Sequence, residues 1–409
     1  MRVLHTSDWH IGRTLYGRKR YDEFEAFLSW LSDTVRETGA DVLLVAGDVF
    51  DTTAPSNRAQ ELYYRFLCRV AGSSCRHVVI IAGNHDSPSF LNAPKELLKA
   101  LNVHVIGSAT DAPEDEVLLL CGEQGDPEMI VCAVPYLRDR DIRVAEAGES
   151  IEDKDVKLVE GIRSHYSAIA AVAGQKKAAS GRDIPVVATG HLFAAGCRTI
   201  EGDGVRELYV GSLAHVTSKI IPDGFSYLAL GHLHVPQKVS GSETMRYSGS
   251  PLPMGFGEAQ QQKSVCLVDF EGASASVALI DVPVFQRLER ITGDWPALSG
   301  RLRALSQSGS RAWVEVIYAG DDVISDLPER INEITGGSQL EVLRIKDNRI
   351  VDRVMGQLQE DETLDNLNAD EVFARCLDAH EVPDAQRAGL TLAYAEIVSS
   401  LFEDDTQAA

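Results

Sequence analysis

Residues 78–86 read VVIIAGNHD, an apolar run that stops at Gly83 and delivers Asn84, His85 and Asp86 in succession. The β-branched residues Val78, Val79, Ile80 and Ile81 suit a strand buried on both faces of its sheet. The polar trio therefore falls just past a strand end. Four other apolar runs break in the same way: VLHTSDWH (3–10), DVLLVAGDVFD (41–51), PVVATGH (185–191) and YLALGHLH (227–234). In open α/β sheets, the loops beyond the carboxyl ends of strands are where sites are built. Five such ends, each offering Asp, Asn or His, form one candidate constellation.

Outward from these runs, residues 1–106 alternate short strands with amphipathic helices, such as EFEAFLSWLSDTVRETG at 23–39, which ends on the helix-stopping Gly39. A strand pair is predicted around 117–134, then PYLRDRDIR, then a helix over 155–173, with AGQKKAASGRD (173–183) as an exposed loop. Strands dominate from 185 to 284, punctuated by Pro222, Gly224, Gly241 and Gly272. The fold class is α/β, a two-layered β core flanked by helices over residues 1–284. A second domain, 285–347, reads as a compact βαβαβ module with strands at 286–293, 311–318 and 339–346 and helices at 295–307 and 325–335. Residues 348–409 carry an acidic linker and two helical stretches, near 368–380 and 384–402.

With 409 residues, two or three domains are expected. No uninterrupted apolar stretch approaches about 18 residues, and the N-terminus enters a strand without a charged-then-apolar leader, so a soluble, cytoplasmic protein with no membrane partner is expected. The seven cysteines are scattered without a C-x-x-C pair, which argues against a disulfide framework or a zinc-thiolate site. A net charge of −22 at first argues against a nucleic-acid partner. Its distribution matters more. Residues 347–409 hold fifteen Asp and Glu against four Arg, half of the whole excess, whereas residues 1–100 hold twelve of each sign. DNA is therefore not excluded.

The strand-end residues are Asp8, His10, Asp48, Asp51, Asn84, His85, Asp86, His191, His232 and His234. Carboxylate, amide and imidazole donors without thiolate suit borderline divalent metals such as Mn²⁺, Fe²⁺ or Zn²⁺. One metal has no use for so many. Two metals about 3.5 to 4 Å apart, sharing a carboxylate and a water, use them and form a clamp for in-line attack on phosphorus. The D-x-H and H-x-H spacings let residues i and i+2 leaving a strand converge on one cation or straddle two.

The ordered series D-W-H, G-D-V-F-D, G-N-H-D, G-H and G-H-L-H resembles that of the calcineurin-like metallophosphoesterases, whose fold is a β-sandwich flanked by helices. SDWHIGRTLYG, PYLRDRD, LALGHLHVPQ and YSGSPLPMGFGE are similar to one branch, the SbcD nuclease subunits of bacterial SbcCD DNA repair complexes. The resemblance is ordered across residues 1 to about 260 and thins beyond. It implies a DNA exonuclease and endonuclease working with two metal ions, most often Mn²⁺. Metal one takes Asp8, His10, Asp48 and His234; metal two takes Asp48, Asn84, His191 and His232. His85 then protonates the leaving oxygen or stabilises the transition state. Asp86 is expected to orient that ring or cap the following turn, and Asp51 to stand behind the ligands. Arg13, Arg18, Lys19, Arg20, Arg138 and Arg140 are candidates for DNA phosphates.

The same resemblance implies an SbcC-like ATPase as partner, gripped by the terminal helices, and a homodimer within a heterotetramer. The apolar face of SNRAQELYYRFLCRVA (56–71), with Leu62, Tyr63, Phe66, Leu67 and Val70, is the candidate dimer surface. In the tail, Ala388, Leu392, Ala395 and Ser399 trace one helical row, with Leu390, Ile397, Val398 and Leu401 beside it. Two alternatives compete: a phosphatase or small-molecule phosphodiesterase on the same core, and a non-catalytic scaffold. Every ligand position is filled, which weighs against the scaffold.

Overall fold

The computed structural model describes residues 1–143, 149–194, 197, 220–320, 322, 324 and 326–347, together with Phe373, Ala374, Leu377, Arg387, Gly389, Leu390, Thr391 and Tyr394. By internal contacts the chain divides into two compact units, Met1–Glu289 and Arg290–Ala409.

In chain order, the first unit begins with β1 (Arg2–Thr6), a short hairpin of β2 (Thr14–Leu15) and β3 (Arg18–Lys19), and α1 (Tyr21–Thr38). Then come β4 (Val42–Ala46), α2 (Asn57–Ala71), β5 (His77–Ile81), α3 (Pro88–Asn92), α4 (Lys95–Lys99) and β6 (Val103–Ile106). The second half holds β7 (Val117–Cys121), β8 (Pro127–Cys132), α5 (Asp139–Ile142), α6 (Ile151–Ser180), β9 (Val186–His191), β10 (Tyr227–Gly231), β11 (Gln237–Lys238) and β12 (Met245–Tyr247). β13 (Ser264–Glu271) and β14 (Ser274–Asp281) return the chain to the first sheet.

The strands form two six-stranded sheets, ordered β14-β13-β1-β4-β5-β6 and β11-β12-β10-β9-β8-β7. β1, β4, β5 and β6 run parallel in one, and β8, β9, β10 and β12 in the other. Period-two alternation sends one set of side chains inward. Val3, Leu44, Ala46, Val79 and Ile81 of the first sheet meet Met129, Val131, Val187, Tyr227 and Ala229 of the second in one buried layer. The opposite face of the first sheet packs on α1 and α2 through Leu43, Val45, Phe24, Phe27, Leu62 and Phe66. That of the second packs on α6 through Ile130, Val186, Ile162, Tyr166 and Ile169. Helices thus cover both outer faces, and the strands can be apolar on both sides.

α6 runs further than its sequence suggests. It starts at a capping box in which Ser150 and Asp153 satisfy each other's backbone N–H, and it continues through the predicted loop to Gly181 in a left-handed turn (φ 63°). Ala, Gln and Lys in AGQKKAAS are good helix formers, so polarity there marks an exposed face rather than a loop.

The second unit carries β15 (Leu288–Gly293), α7 (Trp295–Gln307), β16 (Trp313–Tyr318), α8 (Leu327–Thr335) and β17 (Glu341–Asp347). The strands form one sheet, β15-β16-β17, with β16 and β17 parallel, and Ile291, Val314 and Val316 pack on Leu298, Leu302, Leu327 and Ile331 of the two helices. On the other face the buried Glu315 carboxylate meets Arg290 at 2.6 Å and Arg344 at 3.3 Å. The tail row Ala388, Leu392, Ala395 and Ser399, with Ile397, Val398 and Leu401, lies outside the described residues. Of that region, Phe373 stacks on Tyr394 at 4.1 Å and Leu390 is exposed.

The apolar face of α2 is not available to a second copy. Leu62, Tyr63, Phe66, Leu67 and Val70 are each at most 3% exposed and belong to the core under the first sheet. The helix is amphipathic because its own domain consumes its apolar side. Phe66→Ala is accordingly expected to cost about 3 to 5 kcal/mol of stability. Denaturant unfolding measures that loss, and light scattering should show the association state of the folded chain unchanged.

Candidate metal centre

Five parallel strand ends deliver the candidate residues, β1, β4 and β5 from one sheet and β9 and β10 from the other. In D-W-H, the apolar middle residue does the aiming. Trp9 is fully buried, packed edge-on against Phe27 and Phe66, and its indole N–H donates to Thr6 Oγ1 at 3.0 Å. With Trp9 fixed on the helix side, Asp8 and His10 turn the other way. Leu233 plays the same part between His232 and His234, buried in the core beneath α6.

The loops after β1 and β4 are zipped together, Asp8 N–H to Gly47 O at 3.0 Å, His10 N–H to Asp48 O at 3.0 Å and Ile11 N–H to Val49 O at 2.9 Å. Asp86 clamps the second loop to its own, accepting from the backbone N–H groups of Val49 (3.1 Å) and Phe50 (2.9 Å) in that loop and of Gly83 (2.9 Å) after β5. Asp86 therefore neither orients the His85 ring nor caps the following turn. Its two oxygens are consumed by backbone N–H groups of its own loop and of the loop that carries Asp48.

Backbone strain collects at the same places. Asp8 (φ 53°), His10 (φ 49°), Asp48 (φ 50°) and His232 (φ 99°) all occupy left-handed conformations that non-glycine residues rarely adopt. Strain of this kind persists only where the surroundings over-determine it, and it concentrates at functional sites. Two motif glycines are required by close approach: a Cβ at Gly83 overlaps Asp48, and one at Gly231 overlaps the Ala46 carbonyl.

The side chains converge. His10 Nε2 lies 3.2 Å from His234 Nε2, and Asn84 Oδ1 lies 3.1 Å from His191 Nε2 and 3.0 Å from His232 Nδ1. Asp48 Oδ2 stands 3.2 Å from His191 Nε2 and 3.6 Å from His10 Nε2, between the two sets. Asp8 is pinned by Ser7 Oγ–H at 2.5 Å and by the His232 N–H at 2.9 Å. Potential ligand atoms of Asp8, His10 and His234, and separately of Asp8, Asp48 and His191, lie within 4.8 Å of one another. Asp8 and Asp48 both stand at the junction of the two groups.

This donor set fits divalent metals. His191 Nδ1–H donates to the Ala46 carbonyl at 2.9 Å, which leaves the Nε2 lone pair facing Asn84 Oδ1 and Asp48 Oδ2. Acceptors that face one another need a cation between them. Adjacent ligands on an octahedral ion with bonds of about 2.1 Å are about 3.0 Å apart, the spacing these atoms have. Electrostatics agree. Burial opposes a charge on His191, yet the Asp48 carboxylate outweighs it and raises the imidazole to about 9, so a proton on Nε2 competes with a metal ion for the place between these groups.

His85 is buried at the margin of the set, its ring edge-on to His10 with centroids 4.8 Å apart. Its backbone N–H donates to Asp48 Oδ1 and its Nδ1–H to the Asp51 carbonyl, both at 2.9 Å, so Nε2 is the nitrogen left for chemistry. Asp51 works twice. Its carboxylate lies 3.3 Å from His10 Nδ1 and 3.2 Å from Arg13 Nη1, while its carbonyl holds His85. Position 51 thus orients a candidate ligand and its neighbour by two different oxygens.

The cations separate. Arg18 and Lys19 are exposed on the β2–β3 hairpin, and Arg140 is exposed beside Asp141. Arg13 is tied to Asp51, and Arg138 is half-buried at the start of α5. Arg20 is not a DNA candidate: it is 2% exposed, donates to both oxygens of Glu23 at 2.8 Å and reaches the Pro253 carbonyl at 2.7 Å. Its charge is neutralised inside the fold. Of the histidines outside the motifs, His5 bonds Tyr227, His77 the Cys121 carbonyl and His165 Glu116, all at 2.9 Å, and His104 is held down to about 4 by burial. His215 and His380 lie outside the described residues.

Sequence reading missed Ser7, Ser248, Glu258 and Lys263. Ser7 and Ser248 link the β1 and β12 ends at 2.8 Å, and Glu258 and Lys263 are buried beside His234. Ser7 lies in the break after β1, but a serine there reads as loop rather than as a partner for the site, and Glu258 and Lys263 follow no apolar strand, so the strand-end rule does not register them.

A family model described as calcineurin-like phosphoesterase matches residues 1–236, and one described as type 5 capsule protein repressor C-terminal domain matches 284–381. The chain is 36% identical over 395 residues to the SbcD subunit of nuclease SbcCD from Escherichia coli (strain K12), covering 95% of this chain and 96% of that protein. It is 32% identical to the protein of the same name from Rhodobacter capsulatus (82% and 87% covered), and 36% identical to that from Bacillus subtilis (66% of each covered). Among solved structures, a β-glucosidase from Exiguobacterium marinum aligns at 9% identity over 84% of this chain and 88% of that one, with a TM-score of 0.23, too loose to bear on fold or activity. With two sheets whose strand ends gather a mixed Asp, Asn and His donor set, and with relatives at this identity over nearly its whole length, the chain belongs to the calcineurin-like phosphoesterases and, within them, to the SbcD family of nuclease subunits.

Proposed function

We propose that the chain is the DNA-hydrolysing component of an SbcCD-type complex, cutting phosphodiester bonds as exonuclease and endonuclease with two Mn²⁺ ions in DNA repair, replication and recombination. The observation that carries this reading is Asp48 Oδ2 standing between His191 and His10, one carboxylate oxygen shared by two groups of donors. Asp8, His10, Asp48 and His234 hold one ion, and Asp48, Asn84, His191 and His232 the other. When bound, such ions polarise the phosphate, supply a nucleophile near neutral pH and balance the charge of the transition state. Asn84 contributes a neutral oxygen and so limits the negative charge gathered in the pocket. His85, its Nδ1–H held by Asp51, presents Nε2 to the departing oxygen as proton donor.

Ligand and proton donor are adjacent in sequence, which gives a sharp test. Asp48→Ala should weaken both metal positions, seen as loss of Mn²⁺ in binding titrations. His85→Gln should keep both ions and DNA binding and lower hydrolysis about 10²- to 10⁴-fold. Retention of two ions at full affinity in Asp48→Ala, or an emptied position in His85→Gln, overturns the assignment.

Arg18 and Lys19 on the exposed hairpin, with Arg13, Arg138 and Arg140 as further candidates, would hold DNA phosphates by charge without reading sequence. Replacing Arg18 and Lys19 together by Ala should weaken duplex binding for all sequences and flatten the salt dependence of log K by about 1 per cation lost. Arg20→Ala should instead lower thermal stability, because it strips a partner from buried Glu23. An unchanged salt slope in the hairpin variant removes these residues from the DNA surface.

Residues 285–347 would serve as a capping and DNA-binding domain, and 348–409 would bind an SbcC-like ATPase, with two copies of each chain in a cytoplasmic heterotetramer. The acidic linker cannot form a core of its own, which favours a partner-binding role for the segment beyond it. A chain ending near residue 350 is expected to keep metal-dependent nuclease activity on simple DNA and to lose capture of the ATPase in a pull-down. Full-strength capture by the shortened chain moves the partner surface elsewhere.

A further inference from the structure

Beside His234 lies a charged pair almost sealed from solvent: Glu258 is 0% exposed and Lys263 4%. The Lys263 ammonium donates to Glu258 Oε2, to Ser250 Oγ at 3.0 Å and to the His234 carbonyl at 3.0 Å. Glu258 Oε2 also accepts the Met254 N–H at 3.0 Å. The second carboxylate oxygen, Oε1, is buried without a hydrogen-bond partner and lies 3.7 Å from His234 Nδ1. The other ring nitrogen of His234 faces His10 Nε2 at 3.2 Å, inside the candidate metal centre. One imidazole therefore bridges the centre and an unsatisfied carboxylate oxygen.

A buried ion pair is rarely kept for stability alone, since well-packed apolar residues do as well or better. A buried acceptor left unmatched has a further cost. Both features make sense if the pair serves the ring next to it, because a metal-binding histidine almost always donates its second N–H to a carboxylate, a carbonyl or water.

We propose that Glu258 and Lys263 are positioning residues for metal binding: Glu258 takes the His234 Nδ1–H, fixing the tautomer and the plane of the ring, and Lys263 anchors Glu258 and balances its charge. Lys263 ties both ends of the device, holding the carboxylate and the backbone carbonyl of the histidine it serves. Ser250, on the turn after β12, completes the cradle. This inference rests on the reading of His234 as a metal ligand.

The test uses the full chain and Mn²⁺ alone, with affinities from calorimetric titration. The double variant Glu258→Met with Lys263→Met removes the pair without stranding either charge. It is expected to stay folded by circular dichroism and to bind one Mn²⁺ about 10- to 100-fold more weakly while the other is held as before. Glu258→Gln offers a second measure that keeps the shape. A glutamine turns one oxygen and one NH₂ outward, so it satisfies Lys263 only by pointing a donor at His234 Nδ1. It should weaken the same ion about tenfold and shift the visible absorption of the Co²⁺-loaded chain, a readout of ligand geometry that a packing role would leave in place. A folded double variant with wild-type affinity for both ions overturns the proposal. So does an unchanged Mn²⁺ affinity and Co²⁺ spectrum in Glu258→Gln, which decides the matter if the double variant does not fold. His234→Ala separates the two levels: undiminished Mn²⁺ binding there defeats the metal-ligand reading itself, whereas a loss there together with unaltered pair variants defeats only the positioning role.

Discussion

Gly231 at the end of β10 and Ala46 at the end of β4 approach so closely across the two sheets that no side chain fits between them. Everything in the candidate centre is measured from that contact. The Ala46 carbonyl that excludes a Cβ from residue 231 also accepts the Nδ1–H of His191, so the same oxygen sets the spacing of the sheets and the tautomer of a candidate ligand. Asp8 accepts the N–H of His232 across the same gap, at 2.9 Å. With the sheets closer or farther by about an ångström, donors 3.0 to 3.2 Å apart would collide or lose their common focus.

Such closeness requires strained backbone. Each left-handed non-glycine residue costs on the order of 1 to 3 kcal/mol, and Asp8, His10, Asp48 and His232 are four of them. The compensation is visible in the hydrogen bonds. The loops bearing Asp8 and Asp48 hold each other, Asp86 holds the second from behind through two of that loop's backbone N–H groups, and Trp9 anchors the first in the helix-side core. A buried carboxylate devoted to backbone amides is a costly device, and here it stabilises the loop that places Asp48.

Much of this is legible in the sequence because strands and their ends leave a strong signature. Val78 to Ile81 announce a strand buried on both faces, and the Asp, Asn and His residues at the ends of the five runs come together in space. The two sheets and the second unit's helices fall close to where periodicity puts them. Other features depend on what lies across the fold, which periodicity does not carry. Arg20 reads as one more cation beside Arg18 and Lys19, and only the neighbouring Glu23 and the distant Pro253 carbonyl turn it inward. The α2 face looks spare because nothing in residues 56–71 shows that a sheet lies beneath it. Glu258 sits in a stretch of glycine, proline and glutamine whose burial comes from packing contributed elsewhere in the chain.

On the proposed assignment the two metal positions are unlike in a way that residue types alone do not reveal. His10 and His234 are each backed by a carboxylate, Asp51 at 3.3 Å and Glu258 at 3.7 Å from their Nδ1 atoms. His191 is backed by a neutral carbonyl, and its companion Asn84 is itself uncharged. A carboxylate behind an imidazole raises its basicity as a ligand, whereas a carbonyl chiefly fixes its orientation. Negative charge is therefore concentrated around the Asp8, His10 and His234 group, and Asp48 carries part of it toward the more neutral group. His85 stands on the charged side of that gradient, its ring centroid 4.8 Å from that of His10 and a ring nitrogen within 4.8 Å of an Asp51 carboxylate oxygen. There the Asp51 carbonyl fixes the ring through Nδ1 while the carboxylate of the same residue backs His10, so one side chain and its own backbone orient a candidate ligand and the candidate proton donor together.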